Sequence, residues 1–322
     1  MMTKGLVTVF GGSGFVGTHL VKALVKDGWR VRVPMRRPHV GQSLKVIGNV
    51  GQVQLVQANI RFEQSVADAI EGSDAVINLV AVLSEAGKQN FQSLHVRGAE
   101  TVARLSAGVR IANYVHMSSL GADANGLSEY ARTKAAGEAL VRDHVPSADI
   151  MRPSIIFGPK DKFFNRFAAM ALLSPFLPLI GGGKTRFEPV YVGDVAEAIA
   201  KSVNQATAGR TYELGGPRTY SFRGLLRFTL DTIDRKRLLV PVPWFVARTL
   251  GVVGEMCGGL PLIDPFLTRD QVQSLKTDNI VSEGAKTLDD LAIRRETIEA
   301  IVPTYLWRYR RYGRFHEHRE EG

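Results

Sequence analysis

The run from Leu6 to Gly28, LVTVFGGSGFVGTHLVKALVKDG, constrains the fold of this chain more than any other stretch. Leu6-Val7-Thr8-Val9-Phe10 is short, apolar and β-branched, the pattern of a strand buried on both faces of a parallel sheet. Glycines follow at Gly11, Gly14 and Gly17, and from Val16 onward Leu20, Ala23 and Leu24 recur at helical spacing until Gly28 offers a stop. Strand, glycine turn and helix come in the order that a dinucleotide site requires. Gly11 permits a sharp turn, Gly14 lets backbone approach a pyrophosphate, and Gly17 lets the helix pack closely on its strand. The backbone N–H groups of Phe15, Val16 and Gly17, at the positive end of the helix dipole, then face the phosphates. A flexible turn is the plainer reading of three glycines; their place between strand and amphipathic helix favours the nucleotide.

The end of the next strand, Trp29-Arg30-Val31-Arg32-Val33-Pro34, bears on which nucleotide is held. NAD sites usually place a carboxylate there to accept from the ribose 2′-hydroxyl. Here Met35-Arg36-Arg37 follows, and two guanidinium forks suit a 2′-phosphate, so NADPH is expected over NADH unless both arginines are ordinary surface charges. Val53-Gln54-Leu55-Val56 reads as a third strand, with Asn59 beyond it placed to meet the adenine. Ser65 to Ile70 reads as a helix, Ala75 to Val80 as a fourth strand, Phe91 to Leu105 as a helix and Tyr114 to Ser118 as a fifth strand. This alternation predicts an α/β fold, a doubly wound parallel sheet of the Rossmann type with a smaller, mostly helical C-terminal region. The predicted division is a dinucleotide-binding domain over 1–160, to which 189–202 return, a smaller domain over 161–303 and a basic aromatic tail over 304–322.

A second constellation follows the fifth strand. Ser118 and Ser119 end it, and Tyr130-Ala131-Arg132-Thr133-Lys134 opens the next helix, so Tyr130 and Lys134 share a face. A phenol has a pKa near 10, about three units too high for a base at neutral pH. A neighbouring ammonium favours the phenolate, and a serine hydroxyl can hold a substrate oxygen. The plain alternative is a half-buried tyrosine beside a surface lysine.

Joined to the glycine turn, Ser119, Tyr130 and Lys134 resemble the short-chain dehydrogenase/reductase superfamily, particularly its extended and atypical branches. The resemblance implies Tyr130 as acid/base, Lys134 as its activator and ribose ligand, and Ser119 as the oxygen-positioning hydroxyl. Only ten residues separate Ser119 from Tyr130, which shortens a loop that helps to build a substrate pocket. Arg152-Pro153-Ser154-Ile155-Ile156-Phe157-Gly158-Pro159 is similar to the strand that ends over the nicotinamide in that superfamily, which implies cofactor contacts at Arg152, Pro153 and Ile155. Pro189 to Val195 resembles its later motif; Asp194 there is read first as the N-cap of a helix over Val195 to Ser202.

Three further stretches, Asp161 to Ala168, Lys184-Thr185 ahead of Pro189-Val190-Tyr191-Val192, and Leu267-Thr268-Arg269-Asp270 with Leu288-Asp289-Asp290-Leu291, narrow the likeness. From Leu6 to about Tyr312 the chain resembles the nucleotide-binding accessory subunits of respiratory complex I, in their alphaproteobacterial form. That resemblance implies a reductase-like fold holding NADPH, resting on the peripheral arm by the membrane junction and the quinone region; turnover is not an established property of that family. The implied partners are other complex I subunits; lipid headgroups are a second contact, suggested by charge and not by the resemblance.

Composition agrees. The 322 residues carry a formal charge of +10, and residues 151–237 hold 14 Lys and Arg against 7 Asp and Glu. Such a surplus suits an acidic partner or anionic headgroups, or is a solvated basic face; no nucleic-acid-binding motif accompanies it. No stretch is long and regular enough to span a bilayer, since Phe167 to Gly183 is broken by Pro175 and Pro178. Met1 to Lys4 leaves no room for a signal peptide, and a single Cys257 allows no internal disulfide, so the expected location is the cytoplasmic side of a bacterial inner membrane.

Arg235-Lys236-Arg237 precede Leu238 to Ala247, where Trp244 and Phe245 sit, and the apolar stretch runs on to Phe266. This is either an interfacial contact or the core of the smaller domain; Pro241 and Pro243 argue against one continuous helix. Tyr305 to Phe315 interleaves aromatics with arginine, which predicts a tail docked on a partner. His316 and His318 lack a third ligand nearby, so no metal is expected. Two functions stay open: a structural subunit with NADPH built in, or a free-standing NADP-dependent reductase or epimerase/dehydratase.

Overall fold

In the computed structural model of the chain, residues 4–111, 113–258, 267–311 and 313 are described, without the side chains of 253 and 256–258. The first half alternates strand and helix: β1 Leu6–Phe10, α1 Phe15–Lys26, β2 Arg30–Met35, β3 Val53–Gln57, α2 Glu63–Ile70, β4 Ala75–Asn78, α3 Arg97–Gly108, β5 Asn113–Met117, α4 Glu129–His144 and β6 Asp149–Pro153. The second half continues with β7 Ile156–Phe157, α5 Phe164–Leu173, β8 Phe176–Ile180, β9 Arg186–Phe187, β10 Val190–Tyr191, α6 Val192–Asn204 and β11 Thr211–Leu214. It closes with β12 Tyr220–Ser221, α7 Phe222–Thr232, β13 Leu238–Val242, α8 Trp244–Gly258, α9 Arg269–Ser274, α10 Ile298–Ile301 and α11 Pro303–Leu306.

Two units share these elements. The first comprises Met1–Pro153, Gly193–Leu214 and Ser282–Arg294. Its seven strands form one parallel sheet in the order β11-β6-β5-β4-β1-β2-β3. The doubly wound sheet expected from the alternation is therefore present, and the order reverses between β1 and β4, where such sheets open a crevice at their strand ends. All five residues of β1 are buried. Phe10, Val66, Val76, Val102, Tyr114, Val141 and Ile150 join sheet, α2, α3 and α4 in one core. Residues 282–294, which the sequence did not assign to this sheet, bond to its edge strand: Glu213 donates its N–H to the Lys286 carbonyl at 2.8 Å.

The second unit comprises Ser154–Val192, Gly215–Val281 and Arg295–Gly322. Phe164, Leu177, Leu179, Phe222, Leu225, Leu226, Val302 and Leu306 belong to its core, with α5 against α7 and a parallel β8–β13 ribbon. The Asp161 to Ala168 stretch forms its knot. Buried Asp161 accepts from the N–H groups of Gly158, Phe163 and Asn165 and from the Tyr305 hydroxyl. Burial holds the Asp161 carboxyl above the usual carboxylate range, while these donors pull the other way. Thr268 and Gln271 form a capping box that opens α9.

Several expectations change. Asp194 does not cap a helix from Val195; it lies buried in the first turn of α6, which begins at Val192. The helix expected over Phe91 to Leu105 begins as a π-segment over Gln92–Val96. The basic aromatic tail is not free: Tyr305 and Leu306 are buried in the second unit's own core, and Tyr309 packs against it. Arg308 bonds to Asn165, and Arg310 Nε donates to the Thr232 carbonyl. Tyr305 and Tyr309 find their cover within the unit because α11 runs into that core. Tyr312, Phe315, His316 and His318 lie outside the described residues, as does most of the apolar stretch after Gly258.

Candidate functional site: a glycine turn and a buried lysine

The glycine turn closes where β1 meets α1. Gly11 has φ +80°, a left-handed conformation suited to glycine, and its carbonyl accepts from the Gly14 N–H at 2.9 Å. A Cβ at Gly17 would stand 2.2 Å from the Gly11 oxygen and 2.5 Å from the Gly12 Cα, so the helix touches the turn backbone to backbone. Gly14, the N-cap of α1, offers no side-chain acceptor, and no acidic residue stands in the first turn. No side chain or acidic residue of the first turn thus competes for the N–H groups of Phe15, Val16 and Gly17, which suits a pyrophosphate.

Arg36 and Arg37 follow the C-terminal end of β2, both exposed, and among the described residues neither pairs with a carboxylate. They fit a 2′-phosphate on that ground. Asn59 follows β3 but is engaged locally: its Oδ1 accepts from Arg61 N and Nε at 3.2 and 3.4 Å.

The second constellation is assembled on β5 and α4. Ser118 and Ser119, at the end of β5, are buried with both hydroxyls lacking a hydrogen-bond partner. An unmade bond at a buried hydroxyl is costly, so these two oxygens are suited to meeting a ligand atom. Ser128 caps α4, accepting from the Ala131 N–H at 3.1 Å, and sets the register that puts Thr133, Lys134 and Glu138 on its buried face. Lys134 is 1% exposed, and its Nζ donates to the Met117 carbonyl at 2.8 Å. Burial lowers its pKa to about 8, opposed by Glu138. Tyr130 is half-buried, its ring edge-on to Phe91 and His95 at centroid distances of 5.8 and 5.3 Å.

Arg152 is taken up elsewhere. Its Nε and Nη2 grip Glu138 at 3.0 and 2.6 Å and its Nη1 stands 3.6 Å from Glu213, which raises its pKa further. The guanidinium that the superfamily likeness assigned to the cofactor is thereby committed to tying α4 to β6 and β11. Pro153 is the last residue of β6, and Ile155 belongs to the second unit.

Three residues escaped the sequence reading. His95 sits in the π-segment, buried; its Nε2 accepts from the Val82 N–H at 3.1 Å and its Nδ1 lies 3.3 Å from Thr133 Oγ1. Desolvation, aided by Lys134, lowers its pKa to about 3. His116 on β5 is buried with both ring nitrogens unpartnered, and the same two causes hold it neutral. Glu138 is the third, and the i, i+4 spacing from Lys134 was the signal for it.

A seven-stranded parallel sheet with a glycine turn at its switch point defines a Rossmann-type, dinucleotide-binding class of protein. The chain belongs to the NAD dependent epimerase/dehydratase family, whose model matches residues 7–215. It is 34% identical to NADH dehydrogenase [ubiquinone] 1 alpha subcomplex subunit 9, mitochondrial, of Arabidopsis thaliana, covering 96% of this chain and 79% of that protein. It is 30% identical to the NADH-ubiquinone oxidoreductase 40 kDa subunit, mitochondrial, of Neurospora crassa, covering 94% and 79%. Among solved structures, DesIV, a dTDP-glucose 4,6-dehydratase from Streptomyces venezuelae with NAD and TYD bound, superposes with a TM-score of 0.69 at 20% identity, over 98% of each chain. That likeness is one of fold.

Proposed function

We propose that this chain is an accessory, NADPH-holding subunit of the proton-pumping NADH:quinone oxidoreductase, complex I, of the alphaproteobacterial form. The observation that carries the reading is likeness along nearly the whole chain, second unit included, to subunits of that enzyme in a plant and a fungus. It is a peripheral subunit on the cytoplasmic side of the inner membrane, contacting other subunits of the peripheral arm and the membrane junction; no helix among the described residues is long and apolar enough to cross a bilayer.

The nucleotide is a fixed part of this architecture. The N–H groups of Phe15, Val16 and Gly17 take the pyrophosphate, Arg36 and Arg37 the 2′-phosphate, Asn59 the adenine and Lys134 the nicotinamide ribose, with Ser119 and Tyr130 beyond. Pro153 supplies apolar contact, and Arg152 holds α4 in register. NADPH itself carries a hydride, and Tyr130 can give or take a proton there. A nucleotide present at a hundred times its Kd stabilises the fold by about 2.7 kcal/mol, which makes it a structural ligand whether or not it reacts.

The test is extraction of the native chain in mild detergent, followed by sizing, activity staining and mass measurement of the nucleotide released on denaturation. The expected result is co-migration with NADH:quinone oxidoreductase and release of NADPH. A chain that migrates alone and consumes NADPH with small carbonyl substrates is instead a free-standing reductase or epimerase/dehydratase.

A further inference from the structure

Half-exposed sheets alternate apolar and polar residues, since one face meets water. The β8–β13 ribbon does not. Leu239 and Leu177 point into the second unit's core, whereas Phe176 and Leu238, paired in register, point outward at 53% and 72% exposure. The next outward pair is Pro178 with Val240, so this face carries no polar side chain. Leu172 and Leu173, at the end of α5, are exposed too.

α8 repeats the arrangement after a single intervening proline. Its inward seam is small: Ala247 is fully buried, and a Cβ on Gly251 or Gly254 would stand 2.8 Å from the Arg269 nitrogen or 2.2 Å from the Leu267 oxygen. The outward face therefore holds the large residues Phe245, at 74% exposure, Val246, Leu250 and Val252. Bulk outside and glycine inside is the reverse of a water-facing helix.

Along residues 234–258 the cations Arg235, Lys236, Arg237 and Arg248 outnumber the acids Asp234 and Glu255. Arg235, Lys236 and Arg237 lead into β13 and Arg248 lies on α8; among the described residues none of the four is matched by a carboxylate. The acidic residue described on α8, Glu255, is neutralised by Arg269 at 2.7 Å. Across the whole second unit 20 Lys and Arg stand against 13 Asp and Glu, a surplus of 7 within a chain total of +10.

The geometry points to an anionic phospholipid surface as the occupant of this face. The aromatic and aliphatic side chains of the ribbon and of α8 enter the headgroup layer, and Lys236 and Arg248 meet lipid phosphates, the arrangement of a peripheral protein lying on a bilayer. This goes beyond the complex I reading, because a vesicle contains no partner subunit.

The full chain is floated with vesicles of phosphatidylcholine alone and with vesicles containing one third phosphatidylglycerol. Binding is expected only to the anionic vesicles and is expected to weaken with added salt. Phe176→Gln with Leu238→Gln, and separately Lys236→Glu with Arg248→Glu, should each reduce partitioning at least tenfold. The charge pair carries the test if the apolar pair lowers the melting temperature. Failure to bind anionic vesicles, or binding that neither pair alters, overturns the proposal; incorporation into the respiratory complex without vesicle binding reassigns the face to a protein partner. A chain that binds vesicles but migrates apart from the complex overturns only the subunit reading.

Discussion

Lys134 donates its ammonium hydrogen to the carbonyl of Met117, 2.8 Å away, from a position only 1% exposed to solvent. One backbone oxygen is a meagre replacement for a hydration shell, and the depressed pKa of about 8 records the deficit. Between pH 8 and the unfolded value of 10.5 the folded chain binds fewer protons than the unfolded one. Its stability therefore rises with pH through that window. Relative to Lys134→Met, the parent chain should gain about 3 kcal/mol from pH 7.5 to 10.5 in urea unfolding without nucleotide. Parallel pH profiles would refute the assignment.

His95 works in the acid direction. Its folded pKa of about 3 lies below the unfolded 6.5, so the stability that its neutral form provides is present above pH 6.5 and drains as pH falls toward 3. His95→Asn should flatten the acid limb of the unfolding curve. It should also loosen Tyr130, which loses one of its two ring neighbours, and Tyr130 amide exchange is the readout.

Gly17→Ala forces a methyl group onto the Gly11 carbonyl. Overpacking against backbone costs about 1–3 kcal/mol, and here the shift also moves the N–H groups aimed at the phosphates. The variant should fold with a lower melting temperature that no longer rises when NADPH is added. A normal NADPH-induced rise would show that the turn does not hold the nucleotide.

Arg36→Glu with Arg37→Glu tests cofactor choice. A hydrogen bond to a charged group contributes about 1.5–3 kcal/mol, so removing two and adding like charge should weaken NADPH at least about a hundredfold by calorimetry. Affinity for NADH should change by less than about threefold, since it lacks the 2′-phosphate. Equal affinity of the parent chain for both nucleotides would end the claim of preference.

The C-terminus separates packing from docking. Tyr305→Phe removes a donor from buried Asp161 and should lower unfolding stability by about 1–3 kcal/mol. Deleting residues 304–322 takes Tyr305 and Leu306 out of the core and should prevent folding of the second unit. Deleting 311–322 spares both, so only that truncation can show whether the end of the chain helps assembly; unchanged incorporation into the complex would deny it that role.

Periodicity and turn chemistry made the nucleotide half readable: β1, α1 and the sheet around them emerge where a buried apolar run meets glycines. Tyr130 and Lys134 were readable because four residues on a helix fix a shared face. What stayed hidden depends on distance along the chain. Nothing local marks Lys286 as a neighbour of Glu213, or Tyr305 as the donor to Asp161. The carboxylates that hold Arg152 come from two separate elements, so no local pattern announced the pairing of its guanidinium. His95 was invisible because a π-turn in place of an α-turn changes where a side chain points without changing the apolar pattern.

The interleaving of the two units sets a timetable for biogenesis. Residues 282–294, which hydrogen-bond the sheet's outermost strand, leave the ribosome after most of the second unit has been made. The sheet is thus sealed only after most of the second unit has emerged, and a nascent chain must keep its β11 edge from pairing wrongly until then.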